Sequence, residues 1–166
     1  SIIKMSNQII TKQEVLDAQL AWGEGIVKIG NVFQENGDYS AAAEAHIDQF
    51  YNYGADRLGS VLFKPTLAAE KQFRPTFEGA LSYFVGGNSN FSEDHGFAIK
   101  PWSHVRWESL GINIIGNMAI AMGNYYFTVV GTGDIVKVEY SFGYSKNANG
   151  ELKIILHGSH LPYSPQ

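Results

Sequence analysis

Apolar residues recur at helical spacing through the first third of the chain and at every second position through the last third. Val15, Ala18, Trp22, Ile26, Ile29 and Phe33 fall on one stripe of a helix. Thr11 followed by Glu14 supplies a capping box at its start, hydroxyl and carboxylate each taking an otherwise unpaired amide. Asn36-Gly37 supplies a stop. Gly23, Gly25 and Gly30 lie inside this helix, each costing about 1 kcal/mol relative to Ala. That cost predicts close approach to another backbone, with the helix lying flat on a sheet. A second helix, capped by Asp38, runs from Tyr39 to about Tyr53, with Ala43, Ile47, Phe50 and Tyr51 on its buried side. Residues 60–63 read as a short strand stopped by Pro65. Residues 66–73 read as helical, and 77–84 as a further helical piece before Gly86-Gly87. Residues 88–96 form a polar loop in which Ser92-Glu93-Asp94 reads as solvated.

From Phe97 the period becomes two. Strands are expected at 98–108, 118–130, 135–145 and 151–159, joined by the turn sequences Gly131-Thr132-Gly133-Asp134 and Asn147-Ala148-Asn149-Gly150. Helices first and a long antiparallel meander after them specify an α+β domain with its helices on one face of the sheet. Four long twisted strands with a glycine-rich helix across them curl into a cone, closed by helices and open at its wide end. Residues 1–10 read as an N-terminal arm and 11–166 as one domain.

Composition narrows the possibilities. The chain has 166 residues, 45% hydrophobic, 13% aromatic and 17% charged, enough for one packed core. It has no Cys, which excludes disulfides, thiolate metal sites and a cysteine nucleophile. Sixteen acidic and twelve basic residues leave a net charge of −4, and with no basic run a nucleic-acid partner is disfavoured. No stretch reaches the roughly 20 apolar residues of a membrane helix, so no membrane partner is expected. The first residue is Ser1, consistent with a cytoplasmic chain or with an exported one whose signal peptide has been removed.

Alternation also sorts the candidate chemistry. It puts Trp102, His104, Arg106 and Glu108 on one face of the first long strand. It sets Lys137, Glu139 and Ser141 opposite Val136, Val138 and Tyr140 on the third, and Ile155, His157 and Ser159 together on the last. A face carrying Trp, His and Arg together suits a pocket. Trp102, His104, Arg106, Glu139, His157 and Ser159 are therefore the candidate ligand-binding residues. Arg106 offers a planar fork to a carboxylate. His104, Glu139 and His157 are the candidate acid–base groups. The alternative is a sheet edge or oligomer interface with Arg106 paired to Glu108 or Glu139. His46 reads as structural and His95 as a loop residue. His104, Glu139, His157 and His160 could ligate a metal, but their spacing matches no zinc or iron motif, so neither metal nor cofactor is expected.

The long first helix, the short strand with Phe63-Lys64-Pro65, and the terminal His157-x-Ser159-x-x-Pro162 resemble the nuclear transport factor 2-like superfamily. The nearest likeness is to the association domain of calcium/calmodulin-dependent protein kinase II and its free-standing bacterial relatives. This resemblance implies a cystatin-like α+β barrel: a cone-shaped, strongly curved antiparallel sheet wrapped around a long N-terminal helix. It further implies self-association, as a homodimer or larger, through the outer sheet face. Related enzymes, SnoaL-like and ketosteroid isomerase-like, work with an acid or base inside the cone, whereas hub-type pockets hold small carboxylates. The runs Leu62-Phe63-Lys64-Pro65 and Gly79-Ala80-Leu81-Ser82-Tyr83 also resemble bacterial chains labelled phosphoribosyl-AMP cyclohydrolase. That activity resembles zinc chemistry on cysteine ligands, which a chain without Cys does not provide. Three readings stay open: a binding domain for a small polar or carboxylate ligand, a cofactor-free isomerase, dehydratase or cyclase, and a structural dimerisation module with a filled cone.

Overall fold

The computed structural model describes residues 9–166. The expected arm lies outside these residues except for Ile9 and Ile10, and Ile10 is buried in the core. Helix α1 (Lys12–Gln34) opens with the capping box: Thr11 Oγ1 accepts from the Glu14 amide at 3.1 Å, and the Glu14 carboxylate accepts from the Thr11 amide at 3.2 Å. The chain leaves α1 through Asn36 in the left-handed region. Helix α2 (Tyr39–Phe50) is capped by Asp38, which accepts from the Ala41 amide at 2.9 Å. It ends three residues earlier than expected because Tyr51 is already extended and bridges to Ile154 of the sheet. Strand β1 (Leu62–Lys64), helix α3 (Phe77–Val85) and strands β2 (Trp102–Ile115), β3 (Met118–Val129), β4 (Ile135–Lys146) and β5 (Leu152–His160) follow.

The strands form one sheet in the order β1-β5-β4-β3-β2. The last four make the antiparallel meander, and β1 joins the far side of β5 in parallel. The sheet curves around α1. The Trp22 ring lies 5.8–6.4 Å from Trp107, Tyr125, Phe127, Phe142 and His157, rings contributed by all four long strands. The glycines of α1 permit this seat. A Cβ at Gly23 would press on Val105 and Trp107 of β2, and one at Gly30 on Pro101 and the Ala98 carbonyl. Gly25 differs from expectation: it makes room for the ring of His46 on α2 and not for the sheet.

Three further expectations fail, each because of contacts that the neighbouring sequence does not show. Residues 66–73 are not helical. Their amides bond to neighbouring side chains: those of Ala69, Glu70 and Lys71 to the Glu93 carboxylate at 2.6–3.0 Å, and that of Leu67 to the Tyr83 hydroxyl at 3.2 Å. For the same reason Glu93-Asp94 is not a solvated loop. Asp94 makes a two-pronged pair with Arg74 at 2.7 and 2.8 Å, both side chains fully buried, and accepts from Ser82 at 2.6 Å. The first long strand begins at Trp102, after a short 3-10 turn at Phe97–Ile99, and runs on to Ile115. Trp102 Nε1 donates to the Phe97 carbonyl at 2.7 Å and fixes that turn. A register shift between Ser109 and Gly111 hides the strand's second half from simple alternation.

Candidate functional site

The polar row expected on β2 is divided by a bulge. Trp102 pairs with Val129 and His104 with Thr128, so Ser103 is an extra residue that reverses the alternation. Trp102, Val105 and Trp107 consequently turn inward, while His104, Arg106 and Glu108 stand on the exposed outer face. Glu139 is outer and exposed as well, so His104, Arg106 and Glu139 do not meet His157 inside the cone. Arg106 lies 4.0 Å over the Tyr126 ring, and Glu108 accepts from Asn124 and Tyr126. His157 faces inward and His160 outward. Among the described residues no three His, Asp or Glu side chains converge.

On the inner face β5 presents His157 and Ser159, both about 2% exposed. His157 is stacked between Phe63 of β1 and Phe142 of β4, with ring centroids 4.9 and 4.1 Å away. Its Nδ1 lies 2.9 Å from the Tyr51 hydroxyl and its Nε2 3.0 Å from the Tyr125 hydroxyl. Tyr125 Oη lies 2.5 Å from Ser159 Oγ, which in turn lies 2.6 Å from Thr66 Oγ1. At the other end Trp22 Nε1 donates to Tyr51 Oη at 3.1 Å.

Donor chemistry gives this chain a direction. Trp22 can only donate, so the proton of Tyr51 has one acceptor, Nδ1 of His157. The neutral imidazole then carries its hydrogen on Nε2 and donates to Tyr125. Tyr125 donates to Ser159 and Ser159 to Thr66, whose hydroxyl also interacts with that of Tyr83 at the cleft wall. Lys64 Nζ donates to the carbonyls of Pro65 and Ser159 at 3.1 and 3.3 Å, holding the backbone on which the last two hydroxyls stand.

Burial keeps the cluster uncharged. It pushes His157 down to about 3, with the neighbouring histidines His160 and His46 adding to the depression. It raises the Tyr51 and Tyr125 hydroxyls, which therefore stay protonated. The aromatic rings nearly fill the cone, leaving beside Ser159 and His157 a cavity of only about 10 Å³. Thr66, Tyr83 and Phe97 line this cavity and also a cleft of about 320 Å³. The cleft brings solvent space to Thr66, and Trp102 is part of its wall.

Thr66, Tyr51, Tyr125 and Trp22 complete the cluster without having been singled out for it. Thr66 directly follows Phe63-Lys64-Pro65, and Tyr51 is on the stripe assigned to the buried side of α2. Tyr125 lies at an inward position of β3, a strand with no Asp, Glu, His, Lys or Arg to draw notice.

A family model described as metal-independent carbonic anhydrase matches residues 13–161. A metal-independent carbonic anhydrase of Nostoc sp. (strain PCC 7120 / SAG 25.82 / UTEX 2576) is 44% identical over 160 residues, covering 95% of this chain and 76% of that protein. Among solved structures, a cyanobacterial iota-carbonic anhydrase complexed with bicarbonate superposes with a TM-score of 0.89 at 43% identity, covering 95% of this chain and 96% of that one. A nuclear transport factor 2-like protein from Salmonella enterica subsp. enterica serovar Typhimurium str. LT2 gives a TM-score of 0.53 at 14% identity over 93% of each chain. The fold is therefore nuclear transport factor 2-like. The family match is narrower than the hub-domain likeness.

Proposed function

Because the chain belongs to the metal-independent carbonic anhydrase family, we propose that it interconverts carbon dioxide and bicarbonate at Thr66, Ser159, Tyr125 and His157, without a metal ion. The observation that carries this reading is the ordered run of hydroxyls that starts at a neutral buried imidazole and ends at Thr66 on an open cleft. The bicarbonate complex of the cyanobacterial relative supports it.

Nothing in the cluster holds a charge at neutral pH, so the proton moves by concerted exchange and not by full transfer to a base. Carbon dioxide is held with one oxygen toward the Thr66 hydroxyl. A water oxygen attacks its carbon, forming the new C–O bond, while one C=O π bond opens. A proton of that water passes to a hydroxyl oxygen of the Thr66–Ser159 pair, and a hydroxyl proton of the pair passes to the substrate oxygen. The product is carbonic acid, which leaves through the cleft and ionises to bicarbonate and a proton. His157 and Tyr51 keep the far end of the relay in one orientation. Dipoles set in place before reaction, among apolar walls, act more strongly than they would in water.

Stopped-flow carbon dioxide hydration on chelator-treated protein tests this. Activity is expected to survive chelation, and Tyr125→Phe and Ser159→Ala are each expected to lower kcat/KM by about 10²-fold or more, the scale of positioned proton transfer. Absence of hydration above the uncatalysed rate overturns the proposal. So does full activity in both variants, or loss on chelation that zinc restores.

A further inference from the structure

The cleft in front of the hydroxyl cluster is far larger than carbon dioxide or bicarbonate needs. We infer that it is a binding site for monocarboxylates with an apolar tail, whose head takes the place of bicarbonate against Thr66 while the tail lies along Phe97, Trp102, Val138 and Leu161. The placement of the head rests on the function proposed above. Bicarbonate is a planar carboxylate bearing a hydroxyl, and a monocarboxylate is the same planar head bearing a hydrocarbon.

Three observations define the occupant. Thr66, Tyr83 and Phe97 stand between the narrow inner cavity and the wide cleft, so a molecule that fills the cleft lies against Thr66, the outermost hydroxyl of the cluster. The wall is chiefly apolar and aromatic, which favours hydrocarbon over a sugar or nucleotide. Of its charged groups, Asp94 is neutralised by Arg74, Glu93 is turned to backbone amides, and Lys100 is the one a carboxylate would approach. Lys100 contributes its positive charge to the same lining and lies over the Trp102 ring, 5.3 Å from its centre.

The test is isothermal titration of the whole chain with acetate, propionate, butyrate and hexanoate, with and without bicarbonate. The dissociation constant is expected to fall about two- to fourfold per added methylene, the gain for hydrocarbon leaving water. Bicarbonate is expected to weaken every member of the series by competition. Leu161, which is 53% exposed and stands at the cleft wall, tests the tail. Leu161→Asp is expected to cut the ratio of hexanoate to acetate affinity at least fivefold, and Leu161→Met to preserve it. A flat series, a series that bicarbonate does not displace, or a ratio unchanged by Leu161→Asp overturns the inference. Hydration measured on the same samples separates the two proposals. Hydration with a flat series removes this inference alone, whereas a rising series without hydration removes the proposed activity alone.

Discussion

His157 and His46 are equally buried, yet they are partnered in opposite ways. His157 has a tyrosine hydroxyl on each ring nitrogen, whereas neither nitrogen of His46 has a hydrogen-bond partner. Burial pushes both down to about 3, so both are neutral in the folded protein and take up protons near pH 6.5 once the chain unfolds. The stability they contribute is complete above the unfolded value and is lost as pH falls from there toward the folded one. Each should therefore lower the unfolding free energy by about 1.4 kcal/mol per pH unit below pH 6. Urea titrations between pH 7 and 5 check this, and His46→Leu should remove roughly half of the slope that the two histidines supply. At this scale the sequence was only partly legible. The motif His157-x-Ser159 marked two members of the cluster, but Thr66 and Tyr51 reach it through pairings of β1 and α2 with β5 that no local pattern announces.

Among the elements, α1 and β2 depart most from regular expectation. Three glycines in α1 signalled close approach, and Gly23 and Gly30 do face the sheet and the turn before it. Gly25 instead accommodates the His46 ring, so a methyl group there must displace it. Gly25→Ala should cost about 1–3 kcal/mol as overpacking despite its gain in helix propensity. In the background of His46→Ala the same substitution should be neutral or stabilising. A double-mutant cycle in denaturant measures that coupling, and additive effects would show that the two residues do not compete for the space. On β2 the cost of irregularity fell on interpretation. One inserted residue, Ser103, moved His104, Arg106 and Glu108 to the face opposite Trp102. Period-two reasoning assigns faces correctly only between bulges, as β4 illustrates: Val138, Tyr140, Phe142 and Tyr144 all lie inward as alternation requires.

For the whole molecule, order of elements and alternation were enough to specify a curved sheet around a long helix. The parallel seat of β1 and the irregular segment 66–76 were beyond them, because both depend on contacts distant in sequence. That segment is fixed by the buried Arg74–Asp94 pair, with Arg74 also donating to the Gly79 and Lys71 carbonyls. The pair thus ties β1's exit, α3 and the loop before β2 into one unit at the cleft. Asp94→Ala leaves a guanidinium buried without its counter-charge and should cost about 3–5 kcal/mol. Thermal and urea unfolding test that value, and a loss under 1 kcal/mol would mean that the segment is held by Glu93 and packing alone.

Thr66 and Ser159 touch although 93 residues separate them, and Tyr51 meets His157 across 106. Each half of the chain thus owns only a fragment of the relay, and neither has a partial version that could work. Synthesis must reach the final strand, and that strand must find β1, before the hydroxyls come together. Ligand affinity in this protein is therefore an all-or-none reporter of a finished sheet, silent about every intermediate that lacks its last seam.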